Sequence, residues 1–469
     1  MRRSACLPVL LAVALTGFGP SARAAMKDDA YSYYAFAVGY HDMDDFDQAI
    51  SNYTKAIELN PKYAKAYYGR ALAYAQQGKL DDAQKDFDQA IALDPSLSKA
   101  YMNRSILSMS RGKSDAAIAD LDKAVAMKPK NPDVYILRAE ARRRAGNGAG
   151  ALEDYEHALA IDPYSGEAHA GRGIIRLNAG DTDAAIADFT EQIELKHDVS
   201  EAHNHLGLAH EKIGDIQRAL ESYSTALSLD PANSGARRNR AALYVAQGET
   251  EAAIKEYGVL LAKTPQDAQA LLGRVQAYET AGNTDKALED LSRLIDLAAS
   301  EPTEKRESLL RRRAQLREKT GDTAGALQDY AAIVELRPDA ADAHARRAFL
   351  AWRAGLPDEA LESYNRVLAL KPQDADAWYN RGLLRLETGD LDGSIADSTR
   401  AIELRPKESR AYANRASARG RKADLAGAAA DLQQAIHFAD PSFKQKLEPL
   451  LQQVQKQRQT AKPSDGAGG

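Results

Sequence analysis

Charged side chains recur at a fixed step along this chain. Arg381 has an arginine 34 residues before it, Arg347, and another 34 after it, Arg415. With allowance for one five-residue insertion, the same register holds Arg70, Arg104, Arg138, Arg172, Arg240, Arg274 and Arg313. A guanidinium offers a rigid fork of donors that fits a carboxylate or a phosphate. Ten in register would therefore serve as a ladder for an acidic polymer, or each would hold an acid of the chain itself. Sixteen residues further on, nine of the ten meet an acid: Asp86, Asp120, Asp154, Asp188, Glu256, Asp290, Asp329, Asp397 and Asp431. Arg347 faces Ser363, and the two units that lack the arginine (Phe36 with Asn52, Leu206 with Ser222) lack the acid too. The co-occurrence assigns these arginines to structural ion pairs. A formal net charge of −5 over 469 residues also argues against a general polyanion binder, nucleic acid included.

Other chemistries find little support. Cys6 is the only cysteine, so the rest of the chain has no thiol nucleophile, no disulfide and no zinc–thiolate site. There is no nucleophile elbow, phosphate loop or HExxH motif, and no cofactor is expected. In "HDVSEAHNHLGLAHEKIGD", His203 and His210 are seven residues apart, about 10 Å along a helix. That is too far to share a metal, and with His205 on another face they are expected in packing roles, with no metal. The runs "KRESLLRRRAQLREK" and Arg142–Arg144 are read as solvated basic faces, with a patch for an acidic partner as the other reading.

The elements that must position the pairs follow from the same 34-residue period, which repeats from Ala30 to about residue 442 as twelve units. Each unit reads as two short helices and a turn. Ten consecutive units carry a turn glycine, from Gly78 to Gly389, where a helix end favours the left-handed conformation. Acids such as Asp81, Asp115 and Asp392 open the second helix, and prolines such as Pro61, Pro95 and Pro406 follow its end. Position 20 of the unit is alanine in eleven cases and Ser394 once, while position 24 is usually Tyr or Phe. Small residues facing large ones let two helices approach closely.

This spacing, with alanine at position 20, an aromatic at 24 and proline at 32, resembles the tetratricopeptide repeat, and "AWYNRGLLRLETGDLDGSIAD" is similar to that family's first helix and turn. The resemblance implies an all-α fold, a right-handed solenoid of about twelve helix-turn-helix repeats, with protein or peptide binding in a concave groove lined by the first helices. Under it, repeats 1–5 occupy 30–199, repeats 6–8 occupy 200–301, an insertion covers 302–306, and repeats 9–12 occupy 307–442. Residues 443–460 are expected as a capping helix and 461–469 as a disordered tail. The breaks in pattern at Gln192 and His197, and at Ala299, are candidate hinges.

The resemblance also places positions 2, 5, 6, 9 and 12 of each unit toward the groove. These include Tyr34, Val38, Tyr68, Leu72, Met102, Ile106 and Met109, an apolar set suited to an apolar peptide or helix, and the asparagines Asn103, Asn239, Asn380 and Asn414, whose carboxamides can pair with a peptide backbone. Asn380 and Asn414 with Arg410 and Lys444 resemble part of the carboxylate clamp of co-chaperone members of the family, although Asp376 stands where that clamp has a basic residue. Tyr31, Tyr33, Tyr34 and Tyr40 crowd the first unit, and self-association through that edge is a further expectation.

Residues 1–24 have the form of a cleavable signal peptide. Arg2 and Arg3 precede an apolar run from Ala5 to Phe18, and Ala22-Arg23-Ala24 ends it. The run is too short to span a bilayer, so no transmembrane segment is expected, and the chain is read as periplasmic or secreted. The function expected is a non-catalytic interaction scaffold. The alternatives are an envelope component associated with polysaccharide export or cell-wall glycan, and a regulatory subunit of an envelope enzyme.

Overall fold

The computed structural model describes residues 29–460; residues 1–28, with the segment expected as a signal peptide, and residues 461–469 lie outside that range. Among the described residues there are 25 α-helices, one short 3-10 turn and no strand. The chain divides into two compact units, up to Arg240 and from Ala241 onward. The division falls inside one helix, α13 (Ser234–Ala246), and at neither break in the sequence pattern.

In the first unit, repeat 1 is α1 (Ala30–Asp42) with α2 (Phe46–Leu59), and repeat 2 is α3 (Ala64–Gln76) with α4 (Leu80–Leu93). Repeats 3 to 6 follow as α5 (Ser98–Ser110) with α6 (Ser114–Met127), α7 (Pro132–Arg144) with α8 (Gly148–Ile161), α9 (Gly166–Ala179) with α10 (Thr182–Glu194), and α11 (Val199–Lys212) with α12 (Ile216–Leu229). The second unit contains α14 (Thr250–Lys263), then repeat 8, α15 (Ala268–Thr280) with α16 (Thr284–Leu297), and repeat 9, α17 (Thr303–Thr320) with α18 (Thr323–Leu336). Repeats 10 to 12 are α19 (Ala341–Arg353) with α20 (Pro357–Leu370), α21 (Ala375–Thr388) with α22 (Leu391–Leu404), and α23 (Ser409–Arg421) with α24 (Leu425–Phe438), before a final α25 (Pro441–Thr460).

The turn chemistry explains the pairs. All ten turn glycines have positive φ, for example 93° at Gly180, and the first and last repeats put Asp44 (59°) and Ala423 (64°) in the same left-handed place. Aspartates then cap several second helices: Asp322 accepts from the Gly325 N–H and Asp390 from the Gly393 N–H, each at 2.9 Å.

Close packing follows. Every position-20 alanine from Ala49 to Ala428 is 0 % exposed, and so is Ser394. The aromatic at position 24 fills the space that small residues leave. A Cβ added at Gly171 would lie 2.2 Å from the Tyr155 ring, and one at Gly69 would lie 2.5 Å from Tyr53. Glycine is required there by contact, not by backbone angle.

The structure adds detail at the two breaks in the pattern. The insertion at 302–306 does not form a separate loop. After the turn at Ala298–Ser300 it is wound into α17, which has 18 residues where the neighbouring first helices have 13 or 14. At the earlier break, α10 ends at Glu194, and Lys196 and Asp198 take positive φ on either side of His197. At the C-terminal end, Leu447 of α25 is buried against Leu432 and Ala435, with Phe443, Leu451 and Val454 packed around them. Leu450 points outward, 47 % exposed.

Candidate functional site

The arginine at position 7 reaches from the first helix to the second. Arg70 donates through Nε and Nη2 to both carboxylate oxygens of Asp86 at 2.7 and 2.9 Å, and Arg381 does the same to Asp397 at 2.8 and 2.7 Å. Arg104 with Asp120, Arg138 with Asp154, Arg172 with Asp188, Arg274 with Asp290, Arg313 with Asp329 and Arg415 with Asp431 repeat the arrangement. Arg240 and Glu256 stand on opposite sides of the division between the units. The acids are nearly sealed from water, with side-chain exposures of 1 % at Asp154 and Asp329, against 14 and 16 % for their arginines. The hydrogen bonds that Arg104 donates to Asp120, against the opposing effect of burial, raise the Arg104 pKa above its ordinary value.

Two further contacts complete the device, and neither was read from the sequence. The remaining guanidinium nitrogen, Nη1, crosses to the preceding repeat. Arg70 reaches the Thr54 hydroxyl (3.0 Å), Arg104 reaches Asp88 (2.7 Å), Arg138 reaches Asp122 (2.8 Å), Arg381 reaches the Asn365 carboxamide oxygen (2.6 Å) and Arg415 reaches the Thr399 hydroxyl (3.1 Å). A second arginine, one helical turn later, shares the same acid. Arg142 meets Asp154 at 3.0 Å, Arg317 meets Asp329 at 2.9 Å, Arg385 meets Asp397 at 3.0 Å and Arg419 meets Asp431 at 2.8 Å. The ladder is therefore a row of staples within repeats and, at these five positions, between them.

The basic runs read as solvated faces are engaged in the same way. Arg143 and Arg144 both hold Glu140, Arg311 bridges Glu307 and Asp342, and Arg312 forms a fork on Glu279 at 3.1 and 2.6 Å. The histidines pack. His205 stacks on Phe189 with ring centroids 5.0 Å apart, and burial lowers the pKa of both His203 and His205. No cluster among the described residues has the ligands to hold a metal ion.

The first helices form the inner face of each unit. Consecutive first helices touch (α1 with α3, α5 with α7, α7 with α9, α9 with α11, and later α21 with α23), while no consecutive second helices meet as closely. Of the residues expected on this face in repeats 1–3, Tyr34, Val38, Tyr68, Leu72 and Met102 are half-buried and packed beside core clusters, and Ile106 is 46 % exposed. Tyr34 is braced by the rings of Tyr63 and Tyr53 at 5.0 and 5.9 Å. Of the four tyrosines of α1, Tyr31 stands out into solvent at 71 % exposure.

Two of the expected groove residues do not present a surface. Met109 is 8 % exposed and belongs to the core around Tyr101 and Leu121. Asn414 is 5 % exposed, and its Nδ2 donates to the Ser398 hydroxyl at 2.8 Å. Ser398 occupies the place that an aromatic fills elsewhere, so a larger residue from the next repeat moves into the space. This removes Asn414 from any clamp, and Asp376 of the same set is forked by Arg405 at 2.6 and 2.8 Å. Asn103 and Asn239 link neighbouring repeats: Asn103 Nδ2 donates to the Tyr68 hydroxyl (3.0 Å), and Asn239 Nδ2 to Asn204 Oδ1 (2.9 Å). Asn380 is half-buried and forms no side-chain hydrogen bond among the described residues.

No described helix is long and apolar enough to cross a membrane. No curated protein sequence matches the chain. Among solved structures, it is similar to YrrB, a TPR protein with an unusual peptide-binding site (23 % identity, 39 % of this chain and 95 % of that chain, TM-score 0.35). It is also similar to PilW, a type IV pilus biogenesis factor (20 %, 44 % and 96 %, TM-score 0.41), and to pilF of Pseudomonas aeruginosa (15 %, 44 % and 94 %, TM-score 0.40). Family models described as TPR or tetratricopeptide repeats match residues 39–78, 64–97, 103–166, 170–234, 213–274, 311–375 and 346–407. The chain belongs to the tetratricopeptide-repeat family.

Proposed function

We propose that the protein is a non-catalytic scaffold that binds a peptide or protein segment on the first-helix face of repeats 1–3. The observation that supports this most is the apolar stripe there. Ile106 is exposed and Tyr34, Tyr68, Leu72 and Met102 are half-buried against the cores of their repeats, so the stripe keeps some apolar surface in water. Full burial of an Ile or Leu side chain contributes about 1.5–3 kcal/mol, so a few such anchors decide which ligand is retained. The signal-peptide form of residues 1–24 supports a periplasmic or secreted location, and the repeats leave no catalytic constellation to argue for turnover.

A display library of random peptides, selected on the full chain and on a variant with Leu72→Asp and Ile106→Asp, tests this reading. Enrichment of apolar peptides on the native chain that is lost on the variant is the expected result. Equal enrichment on both, with circular dichroism showing both folded, overturns it.

A further inference from the structure

Each repeat meets the one before it along the same stripe of its first helix. Position 7 crosses there through the guanidinium Nη1. Position 14 also reaches back: Gln77 donates to Asp47 at 2.8 Å, Arg111 donates to Asp81 at 2.7 Å, and Lys422 donates to Asp392. Positions 3 and 10 are sealed, with Ala66, Ala73, Ala100 and Ala141 fully buried. No described repeat precedes α1, and its stripe reads Ser32, Phe36, Gly39 and Met43. Met43 is 54 % exposed and Phe36 is half-buried. Both stand outside the core of repeat 1, on which Tyr33, Tyr34, Val38 and Tyr40 pack.

The end of a solenoid needs a polar outer face if it is to stay uncovered. At the C-terminal end, α25 presents Lys444, Lys446, Glu448, Gln452 and Lys456 to solvent. The stripe on α1 has no such face. The residues left before it by the expected cleavage, 25–28, contain one large apolar side chain, Met26. Four residues reach at most about 14 Å, and Ser32 to Met43 spans roughly 16 Å of helix. The stripe is, however, complementary to itself. Two copies of α1 placed antiparallel, about a two-fold axis midway between Phe36 and Gly39, set Phe36 against Gly39 and Met43 against Ser32, each twice. Large meets small at every step, which lets helices approach closely. Gly39, itself buried, adds no side chain between Phe36 and Met43.

Charge selects the same direction. Lys55 of α2 is exposed over the Tyr33 ring at 5.6 Å, beside the N-terminal half of α1, with no acid partner among the described residues. Its position belongs to this edge, because its equivalents Arg293 and Arg366 reach the Pro265 and Pro338 carbonyls in the linkers before their own repeats. Asp42, Asp44 and Asp45 crowd the other end of α1, all exposed. A parallel pair would set the two acidic turns together. An antiparallel pair sets each near Lys55 of the other copy and also opposes the helix dipoles. Asp29, at the Lys55 end, is held by the Ser32 N–H at 2.8 Å, and Glu58 of α2 offsets part of the attraction.

We propose that the protein forms a two-fold dimer in which α1 packs antiparallel against α1 of a second copy, through Ser32, Phe36, Gly39 and Met43. The contact is isologous and occupies the same edge in both copies, so it closes at two and does not grow into a filament. It makes no use of Tyr68, Leu72 or Ile106, and both copies keep the apolar stripe of repeats 1–3.

Sedimentation equilibrium on the exported protein, its N-terminus established by mass spectrometry, tests this. A dimer that dissociates on the order of 10 µM is expected for a contact at the small end of interface sizes. Phe36→Glu with Met43→Glu is expected to weaken it at least about tenfold, whereas Leu72→Asp with Ile106→Asp is expected to leave it unchanged. Circular dichroism and matched thermal melts establish that both variants are folded. Introduced cysteines read the direction, since Cys6 lies in the segment expected to be removed. Ser32→Cys alone and Met43→Cys alone should not cross-link to themselves, because like positions then stand roughly 16 Å apart and a disulfide needs Cα atoms within about 7 Å. The two single variants mixed are expected to give a disulfide-linked heterodimer. A native chain that stays monomeric up to about 100 µM overturns the proposal and leaves the edge to a different protein. Undiminished association of the Phe36/Met43 variant overturns it too, as does self-cross-linking of the single variants without the mixed product. Dissociation by the Leu72/Ile106 variant would place the contact on repeats 1–3 and also overturn it.

Discussion

Repeat 10 lacks the acid that its arginine has elsewhere, and restoring it should stabilise the protein. Ser363 is 1 % exposed and its hydroxyl has no hydrogen-bond partner. Arg347 opposite keeps a buried Nε without a partner, and its other nitrogens reach Glu359 only at 3.5 Å and Glu362 at 3.9 Å. In repeat 11 the equivalent arginine makes a fork at 2.8 and 2.7 Å. Ser363→Asp supplies the missing acceptor. A hydrogen bond to a charged group contributes about 1.5–3 kcal/mol, and satisfying an orphaned buried donor recovers a penalty of similar size. Desolvating the new carboxylate offsets several kcal/mol, but the guanidinium is already largely out of water at 18 % exposure. The net expectation is a gain of about 1–2 kcal/mol. In a long repeat array a single global unfolding energy is poorly defined, so the assay is hydrogen exchange of the α19 and α20 amides. A gain of about 1.4 kcal/mol slows their exchange about tenfold where it proceeds by local opening. Ser363→Asn, which adds size without charge, should not match it. Faster exchange in Ser363→Asp would refute the reasoning, because it would mean that the fork does not repay burial even where its arginine is already in place.

The same logic gives the converse. Asp397→Ala strands Arg381 and Arg385 together, and should cost about 3–5 kcal/mol, seen as lost protection across α21 and α22; an unchanged exchange profile would contradict it. Ala423→Gly relieves a left-handed alanine at φ 64°, a conformation that costs an L-residue roughly 1–2 kcal/mol. After the entropy of glycine it should stabilise the last repeat by about 0.5–1 kcal/mol, read as slower hydrogen exchange of the α23 and α24 amides. Gly171→Ala puts a Cβ into the Tyr155 ring and should destabilise by about 1–3 kcal/mol, readable as faster hydrogen exchange of the α8 and α9 amides. For pH, burial lowers the pKa of His203 and His205, so the unfolded chain takes up protons more readily than the folded one. Their contribution is present above the ordinary histidine value of 6.5 and is lost progressively below it. Thermal melts between neutral and mildly acid pH should show that decline reduced in His205→Phe.

Much of the scaffold was legible because its determinants are tied to one residue type at one place. A turn glycine, a position-20 alanine and the Arg–acid coincidence sixteen residues apart each require a specific side chain, so they survive in the letters. The bond from each arginine to the preceding repeat was not legible. It asks only for an oxygen, and Thr54, Asp88, Asn365 and Thr399 all provide one. The second arginine was hidden in runs such as Arg142–Arg144, where adjacent letters look alike while the helix turns one inward and the others along the surface. Asn414 and Met109 show the same limit from the other side. Whether a groove position is covered depends on what meets it, Ser398 of the preceding repeat in one case and a core that reaches Val134 and Ala141 of the next repeat in the other.

The most direct test of the central claim is site-specific photo-crosslinking in the cell that makes the protein. A photoreactive phenylalanine would replace Ile106 on the inner face in one strain and the half-buried Gln84 on a second helix in another. Discrete protein adducts from position 106 that are missing from position 84 are the predicted outcome. Adducts from position 84 alone, or the same adducts from both, would contradict a scaffold that binds through its first helices.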